Sequence, residues 1–161
     1  MDQMLDRKWK TVEGAPVEDI RATLREAFRG VRTVYIGSDS QQDALKTQLV
    51  TVVVVHDPGH GGRAFYTKET VPRIQSLRQR LLKEVWMSVA VALEVDPMLS
   101  DESELQVHVD ANPNTKFRSS AYVKELTSMV VSQGFEAVLK PEAWAASHTA
   151  DHVVKNKVVG R

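Results

Sequence analysis

Cysteine is absent from this 161-residue sequence, and so are long apolar stretches. Without cysteine the chain has no disulfide framework, no iron–sulfur or thiolate zinc site and no thiol nucleophile. The longest apolar run, residues 50–55 with Thr51 inside it, is too short to span a bilayer. The first ten residues lack the apolar core of a secretory signal. We therefore expect a soluble, cytoplasmic protein with no membrane partner.

An excess of positive charge is also missing, since 21 Lys and Arg residues balance 21 Asp and Glu residues. Many nucleic-acid binders are basic, so this balance argues mildly against a non-specific binder. It does not argue against a metal-dependent nuclease, because bound divalent cations would add positive charge at the site. The length and the 42% hydrophobic content predict one globular domain over residues 1–161.

Hydrophobic periodicity predicts a mixture of strands and helices. An amphipathic helix is expected at residues 15–30, and strands are expected at residues 33–36, 48–56, 64–67, 105–110 and 135–139. Helical patterns occupy residues 72–95, 119–132 and 142–157. This order predicts an α/β fold with a five-stranded mixed sheet flanked by helices, and with an extra N-terminal helix.

Two aspartates follow strands that this order places in one sheet. Asp39 lies in a polar stretch that we interpret as a loop after the first strand, and Asp110 ends the fourth strand. A crossover through the long helix makes these strands parallel, so both aspartates are expected at the same edge of the sheet. In open α/β sheets, ligands bind outside the carboxyl ends of the strands.

Two further acids are predicted to face the interior from helices. Glu84 has mostly apolar neighbours one and two helical turns away, and Asp151 shares its row with Trp144 and Val154. Carboxylates buried in this way need a partner. Clustered carboxylates suit Mg²⁺ or Mn²⁺, and a pair of such ions supports in-line phosphodiester hydrolysis.

Each acid also has a structural interpretation. Asp39 and Asp110 could be turn residues that bond their own backbone. Glu84 could form a surface ion pair, since Lys83 and Arg80 lie nearby in the sequence. Asp151 could pair with Lys155 one helical turn later.

Histidine and tryptophan residues lie on the same predicted helices as the acids. His148 could orient water or shuttle protons, although a hydrogen-bonded histidine on a helix surface is the commoner situation. Trp86 and Trp144 have apolar helical neighbours, which favours a place in the core over a role in base stacking.

Four ordered motifs resemble the YkuK-type ribonuclease H-like family. They are residues 36–41 (IGSDSQ), 80–85 (RLLKEV), 108–113 (HVDANP) and 140–147 (KPEAWAAS), the last followed by Ala150 and Asp151. The resemblance implies a ribonuclease H-like fold, and its broader superfamily contains nucleases and Holliday-junction resolvases. It implies that the site acids are Asp39, Glu84, Asp110 and Asp151. His148 is similar in placement to the last-helix histidine of RuvC-type resolvases.

These observations favour a metal-dependent nuclease acting on RNA, an RNA–DNA hybrid or branched DNA. The alternative is a catalytically silent ribonuclease H-like module that binds nucleic acid or a protein, which the neutral net charge favours. A phosphotransferase of the related actin-like fold fits less well, because the sequence has no glycine-rich phosphate loop.

Overall fold

A seven-stranded mixed sheet with α-helices packed on it forms the fold in this computed structural model, which describes residues 3–57 and 61–140. The strands are β1 (Trp9–Thr11), β2 (Pro16–Val17), β3 (Thr33–Gln42), β4 (Lys46–Asp57), β5 (Gly61–Pro72), β6 (Glu104–Val109) and β7 (Glu136–Leu139). The α-helices are α1 (Ile20–Ala27), α2 (Leu77–Val95) and α3 (Val123–Val131). Short 3₁₀ turns lie at Met4–Asp6, Asp96–Met98 and Arg118–Tyr122.

The strand order across the sheet is β2-β1-β5-β4-β3-β6-β7. The three long strands β3, β4 and β5 form an antiparallel meander, and β6 and β7 add to the free side of β3 in parallel. The predicted parallel pairing of the two aspartate-bearing strands is confirmed. The mixed sheet is also confirmed, but the predicted number of five strands is wrong for the described residues.

The two extra strands, β1 and β2, come from the N-terminal part of the chain and form one side of the sheet. Trp9 of β1 pairs with Thr67 of β5, and its side chain is buried with the indole N–H donating to the carbonyl of Met4 at 3.0 Å. Strands of two or three residues are too short to show a period in the sequence. The burial of the Trp9 side chain therefore accompanies a strand, β1, that the sequence pattern does not predict.

Helix starts also differ from the prediction, because side-chain caps set them. The first helix begins at Ile20 rather than near residue 15, and the Asp19 side chain caps it by accepting from the N–H of Ala22. Pro72 is the last residue of β5, and Ser76 caps α2 in the same manner. The predicted helix at 142–157 lies outside the described residues.

The larger core lies between the helices and one face of the sheet. It includes Leu24 of α1, Ile36 of β3 and Val91 of α2, all fully buried. The opposite face carries a smaller buried apolar cluster made of Val50, Val52 and Tyr66. No helix within the described residues is long and apolar enough to cross a membrane.

Candidate active site

The register of the parallel strands brings Asp39 and Asp110 together. The last residue pair between β3 and β6 is Gly37 with His108, and each aspartate lies two residues beyond its member of this pair. Because side chains alternate along a strand, positions two residues apart share a face, so both aspartates belong to the same face. Asp39 and Asp110 therefore lie at the same edge of the sheet, at the carboxyl end of the β3–β6 pairing.

Asp39 lies inside a strand rather than in a loop. Strand β3 continues to Gln42, and Asp39 is paired with Val50 of the neighbouring strand β4. Its carboxylate accepts the N–H of Ser40 at 2.8 Å. The polar sequence predicts a loop here, but β4 satisfies the backbone of this segment, which a sequence pattern cannot show.

Buried hydroxyl groups join β3 to α2 beneath the aspartates. The Ser38 hydroxyl lies 2.7 Å from that of Ser88 on α2 and 2.9 Å from that of Thr51 on β4. One turn before Ser88 on α2, Glu84 is only 4% exposed, and its carboxylate accepts the Ser40 hydroxyl at 2.5 Å. These bonds fix the position of α2, and with it Glu84, against the polar part of β3.

Glu84 reaches the aspartates from the helical side of the sheet. Strand β6 ends at Val109, so its ladder with β3 does not extend alongside Ser40. One ligand oxygen from each of Asp39, Glu84 and Asp110 lies within 4.8 Å of the other two. The interpretation of Glu84 as part of a surface ion pair is therefore wrong.

Burial and the neighbouring carboxylate control the charge of Glu84. Burial, followed by the charge of Asp110, raises the pKa of Glu84 from 4.5 to about 8, against the opposing effects of Ser40, Arg80 and Lys140. In the metal-free protein near pH 7, Glu84 is therefore mainly protonated. A cation bound between the carboxylates would favour the charged form instead.

A lysine contacts the third acid directly. The ammonium group of Lys140, the residue after β7, forms an ion pair with Oδ1 of Asp110. The side chain of Asp110 is 16% exposed and that of Lys140 is 41% exposed. The acid cluster, formed by Asp39, Glu84 and Asp110, is thus already paired on its solvent-facing side with one positive charge, the lysine ammonium group.

His108 is a buried neutral group on the same face as Asp110. Its ring centroid lies 5.0 Å from that of Tyr35, and Nε2 is 3.3 Å from Oε1 of Gln106. Burial lowers the pKa of His108 from 6.5 to about 4. Among the described residues its Nδ1 has no hydrogen-bond partner. The imidazole therefore adds no charge to the site near pH 7.

The three acids offer the chemistry that small divalent cations prefer. Mg²⁺ and Mn²⁺ bind carboxylate oxygens, and opposite ligands of one Mg²⁺ ion lie about 4.2 Å apart, twice the usual Mg–O distance of about 2.1 Å. A spacing within 4.8 Å therefore needs only a small side-chain adjustment to hold one ion. Asp39, Glu84 and Asp110 therefore fit a small divalent cation.

Two predicted site residues, Asp151 and His148, lie outside the described residues, as does Trp144. Trp86 was expected in the core, but it is 54% exposed on α2. Its apolar helical neighbours turn toward the sheet while Trp86 itself faces away.

Sequence reasoning gave no role to Ser40, His108 or Lys140, although all three lie in or beside the motifs that carry the resemblance. A usable signal was present for His108, because it precedes Asp110 by two residues in a strand and so had to share its face. The contacts of Ser40 and Lys140 depend on the packing of α2 and on the pairing of β7, which the motifs do not encode.

Comparisons with known proteins find a matching family and similar chains. A family model described as ribonuclease H-like matches residues 16–155. The chain is 27% identical over 154 residues to the uncharacterized protein YkuK of Bacillus subtilis (strain 168), a match that covers 86% of this chain and 88% of that protein.

A crystal structure of RNase H1 from the halophilic archaeon Halobacterium salinarum NRC-1 aligns with 79% of this chain and 99% of its own, with a TM-score of 0.41 and 13% identity. The family model and the YkuK match each span most of the chain. This protein belongs to the YkuK-type ribonuclease H-like family.

Proposed function

We propose that this protein is a metal-dependent nuclease that hydrolyses phosphodiester bonds in RNA, an RNA–DNA hybrid or branched DNA. The observation that carries the proposal is the convergence of Asp39, Glu84 and Asp110, with ligand oxygens within 4.8 Å of one another. Three carboxylates at this spacing are unfavourable together unless protons or cations compensate their charge. Mg²⁺ or Mn²⁺ is the cofactor that this ligand set suits.

The residues have three kinds of task in this mechanism: holding metal, positioning a ligand and transferring a proton. Two divalent ions bound at such a site would activate the attacking water and stabilise the leaving oxygen. Asp39 and Asp110 offer ligand oxygens from adjacent strands, so the sheet fixes their separation. Ser40 holds the Glu84 carboxylate through its hydroxyl at 2.5 Å and limits its rotation. Asp151 and His148 stay in the proposal as a fourth ligand and a proton-transferring group.

A polar groove next to Asp39, lined mainly by amide and hydroxyl side chains and by one acid and one lysine, supports a nucleic-acid substrate. A cavity of about 500 Å³ is lined by Gln41, Gln42, Asp43, Lys46, Gln48 and Thr70. Gln41 lies two residues beyond Asp39, Gln48 pairs with Gln41, and Thr70 pairs with Gln48, so this row shares the face of Asp39. Amide and hydroxyl groups bind base edges and sugar hydroxyls, which suits a neutral protein whose phosphate contacts are made through metal.

Replacing Gln41 by Ala should weaken substrate binding more than it slows the chemical step. Two residues of a strand span about 6.8 Å, so Gln41 can contact the neighbouring nucleotide rather than the reacting phosphate. We expect KM to rise about 5- to 20-fold, as for the loss of one or two hydrogen bonds, with kcat changed less than about threefold.

The control for this variant is Gln133→Ala, which removes an exposed amide from the turn between α3 and β7. It should leave both constants unchanged. A fall in kcat at constant KM for Gln41→Ala would contradict a role in binding the strand.

The proposed activity is tested by incubating the purified protein with labelled single-stranded RNA, hybrid duplex and four-way DNA junction. With Mg²⁺ or Mn²⁺ at least one of these should be cut. Ca²⁺ should support binding better than cleavage, because its larger and looser coordination shell positions the attacking water poorly. If the protein binds one substrate with metal present but cuts none, the nuclease proposal is wrong, and the protein is a silent binding module.

A further inference from the structure

We propose that Lys140 is a functional cation of this site that exchanges its partner. It neutralises Asp110 in the metal-free protein, and it moves to the phosphodiester of the bound strand when a divalent ion takes Asp110. This inference rests on the proposed function, because it assigns a second task to the same acid cluster. It begins from the ion pair between the Lys140 ammonium and Oδ1 of Asp110.

The backbone holds Lys140 at the carboxyl edge of the sheet. Leu139 pairs with Val109 at the ends of β7 and β6, so Lys140 and Asp110 are the next residues of adjacent parallel strands. The N–H of Lys140 donates to the carbonyl of Ala111 at 3.2 Å, which extends this contact by one residue. The lysine Cα is therefore fixed, and only its flexible side chain has to move in an exchange.

The charge of Lys140 acts on more than one acid of the cluster. Its ammonium contacts Asp110, and the same charge opposes the raised pKa of Glu84. A divalent ion placed between these carboxylates would meet that ammonium at close range. Like charges a few ångströms apart repel strongly where solvent is partly excluded, so the two cations compete for Asp110.

The solvent exposure of the Lys140 side chain indicates that it can leave Asp110, and argues against a fixed structural ion pair. The Lys140 side chain is 41% exposed whereas that of Asp110 is 16% exposed, so the lysine approaches its partner from solvent. A lysine ammonium is a compact charge on a flexible stem, and it does not lock a carboxylate as the two-pronged arginine group does. On leaving Asp110 it remains at the solvent side, from which a phosphodiester must approach the acids.

The exchange is tested by calorimetric titration of Mn²⁺ into wild type, Lys140→Gln and Lys140→Arg, without nucleic acid. Removing the competing charge should tighten Mn²⁺ binding about tenfold or more in Lys140→Gln, as expected from the loss of one nearby like charge. Lys140→Arg keeps the charge and should not tighten binding. Far-UV circular dichroism verifies the fold of each variant.

Lys83→Gln is the matched control. Lys83 precedes Glu84 in sequence, but its ammonium lies 3.8 Å from Oε1 of Glu69, outside the cluster. This variant should change Mn²⁺ affinity by less than about twofold, because an exposed charge at greater distance is screened. Equal tightening of Mn²⁺ binding in Lys83→Gln and Lys140→Gln would overturn a specific exchange at Asp110. Unchanged or weaker Mn²⁺ binding in Lys140→Gln would overturn it as well.

The second half of the proposal is tested by fluorescence anisotropy of labelled RNA, hybrid and junction DNA in Ca²⁺. Lys140→Gln should bind the preferred strand about 3- to 10-fold more weakly than wild type, even though its metal affinity is higher. Unchanged strand affinity would overturn the transfer to phosphate. If wild type binds no strand at all, the proposed function fails, and the Mn²⁺ titration still decides the exchange at Asp110 independently.

Discussion

Asp39→Asn should reduce metal-dependent cleavage by at least about 100-fold while leaving the fold intact. Loss of a mere second-sphere partner of a metal typically costs about 10- to 100-fold, and Asp39 is proposed as a direct ligand. Asparagine keeps the shape of the side chain and an oxygen that can accept the Ser40 N–H, so packing is preserved. The measurement is single-turnover cleavage of the preferred substrate with saturating Mg²⁺ or Mn²⁺.

Thermal unfolding gives a second measurement on the same variant. Mg²⁺ or Mn²⁺ should raise the melting temperature of wild type, because an ion that binds only the native state stabilises it by mass action. Asp39→Asn should lose most of this rise. Its metal-free form should melt at the same or a higher temperature, since one negative charge has been removed from the cluster.

Asp101→Asn is the matched control for Asp39→Asn. Asp101 is an exposed acid in the turn before β6. It lies outside the group formed by Asp39, Glu84 and Asp110, so cleavage and the metal response should remain at wild-type level. A full metal response in Asp39→Asn, or full cleavage, would contradict its role as a ligand.

Glu84→Gln should remove a pH-dependent loss of stability in the metal-free protein. The pKa of Glu84 is raised from 4.5 to about 8 in the folded state, so the folded protein holds this proton more tightly than the unfolded chain. The resulting stabilisation is complete below about pH 4.5, and it is lost as the pH rises towards 8. The wild-type free energy of unfolding should therefore fall across this window.

His108 has the opposite effect at lower pH. Burial lowers its pKa from 6.5 to about 4, so its contribution to stability is present above pH 6.5 and is lost as the pH falls through 4. The two trends oppose each other between pH 4.5 and 6.5. Of the two groups, Glu84 alone titrates between pH 6.5 and 8, and this window gives the clean comparison.

Urea unfolding in EDTA at about pH 6.5 and pH 8 measures the effect. Over this interval the folded state binds nearly one proton more than the unfolded chain, and about 1.5 pH units at that difference correspond to roughly 2 kcal/mol, which wild type should lose and Glu84→Gln should retain. Glu102→Gln, at an exposed position, should keep the wild-type pH dependence. The same pH dependence in wild type and Glu84→Gln would show that Glu84 is not the group responsible.

The sequence predicted the central elements well because they repeat a period over many residues. Strand β4 and helix α2 were found from continuous apolar or 3.6-residue patterns, and the parallel pairing of β3 with β6 followed from the handedness of crossover connections. Short edge strands carry no such repeat. Strand β1 exists because Trp9 is buried beside β5, which is a long-range contact.

The position of Asp39 shows why a local polar pattern can mislead. Ser38, Asp39 and Ser40 were interpreted as a loop, yet they lie within β3, and the two serine hydroxyls are satisfied by Ser88 and Glu84 on α2. Polar residues tolerate burial in a strand when partners arrive from another element. Residue type alone does not reveal whether such partners exist.

The sequence by itself determined which acids this protein has, which strands carry two of them and which helix carries the third. Alternation and crossover handedness are local or topological rules, and they were sufficient to bring Asp39 and Asp110 to one edge. Only the tertiary structure decided the charge of the site. The burial of Glu84 and the ion pair of Lys140 with Asp110 arise from the packing of α2 and the pairing of β7. Protonation and ion pairing depend on distances and solvent exclusion in three dimensions, and no spacing along the chain encodes these.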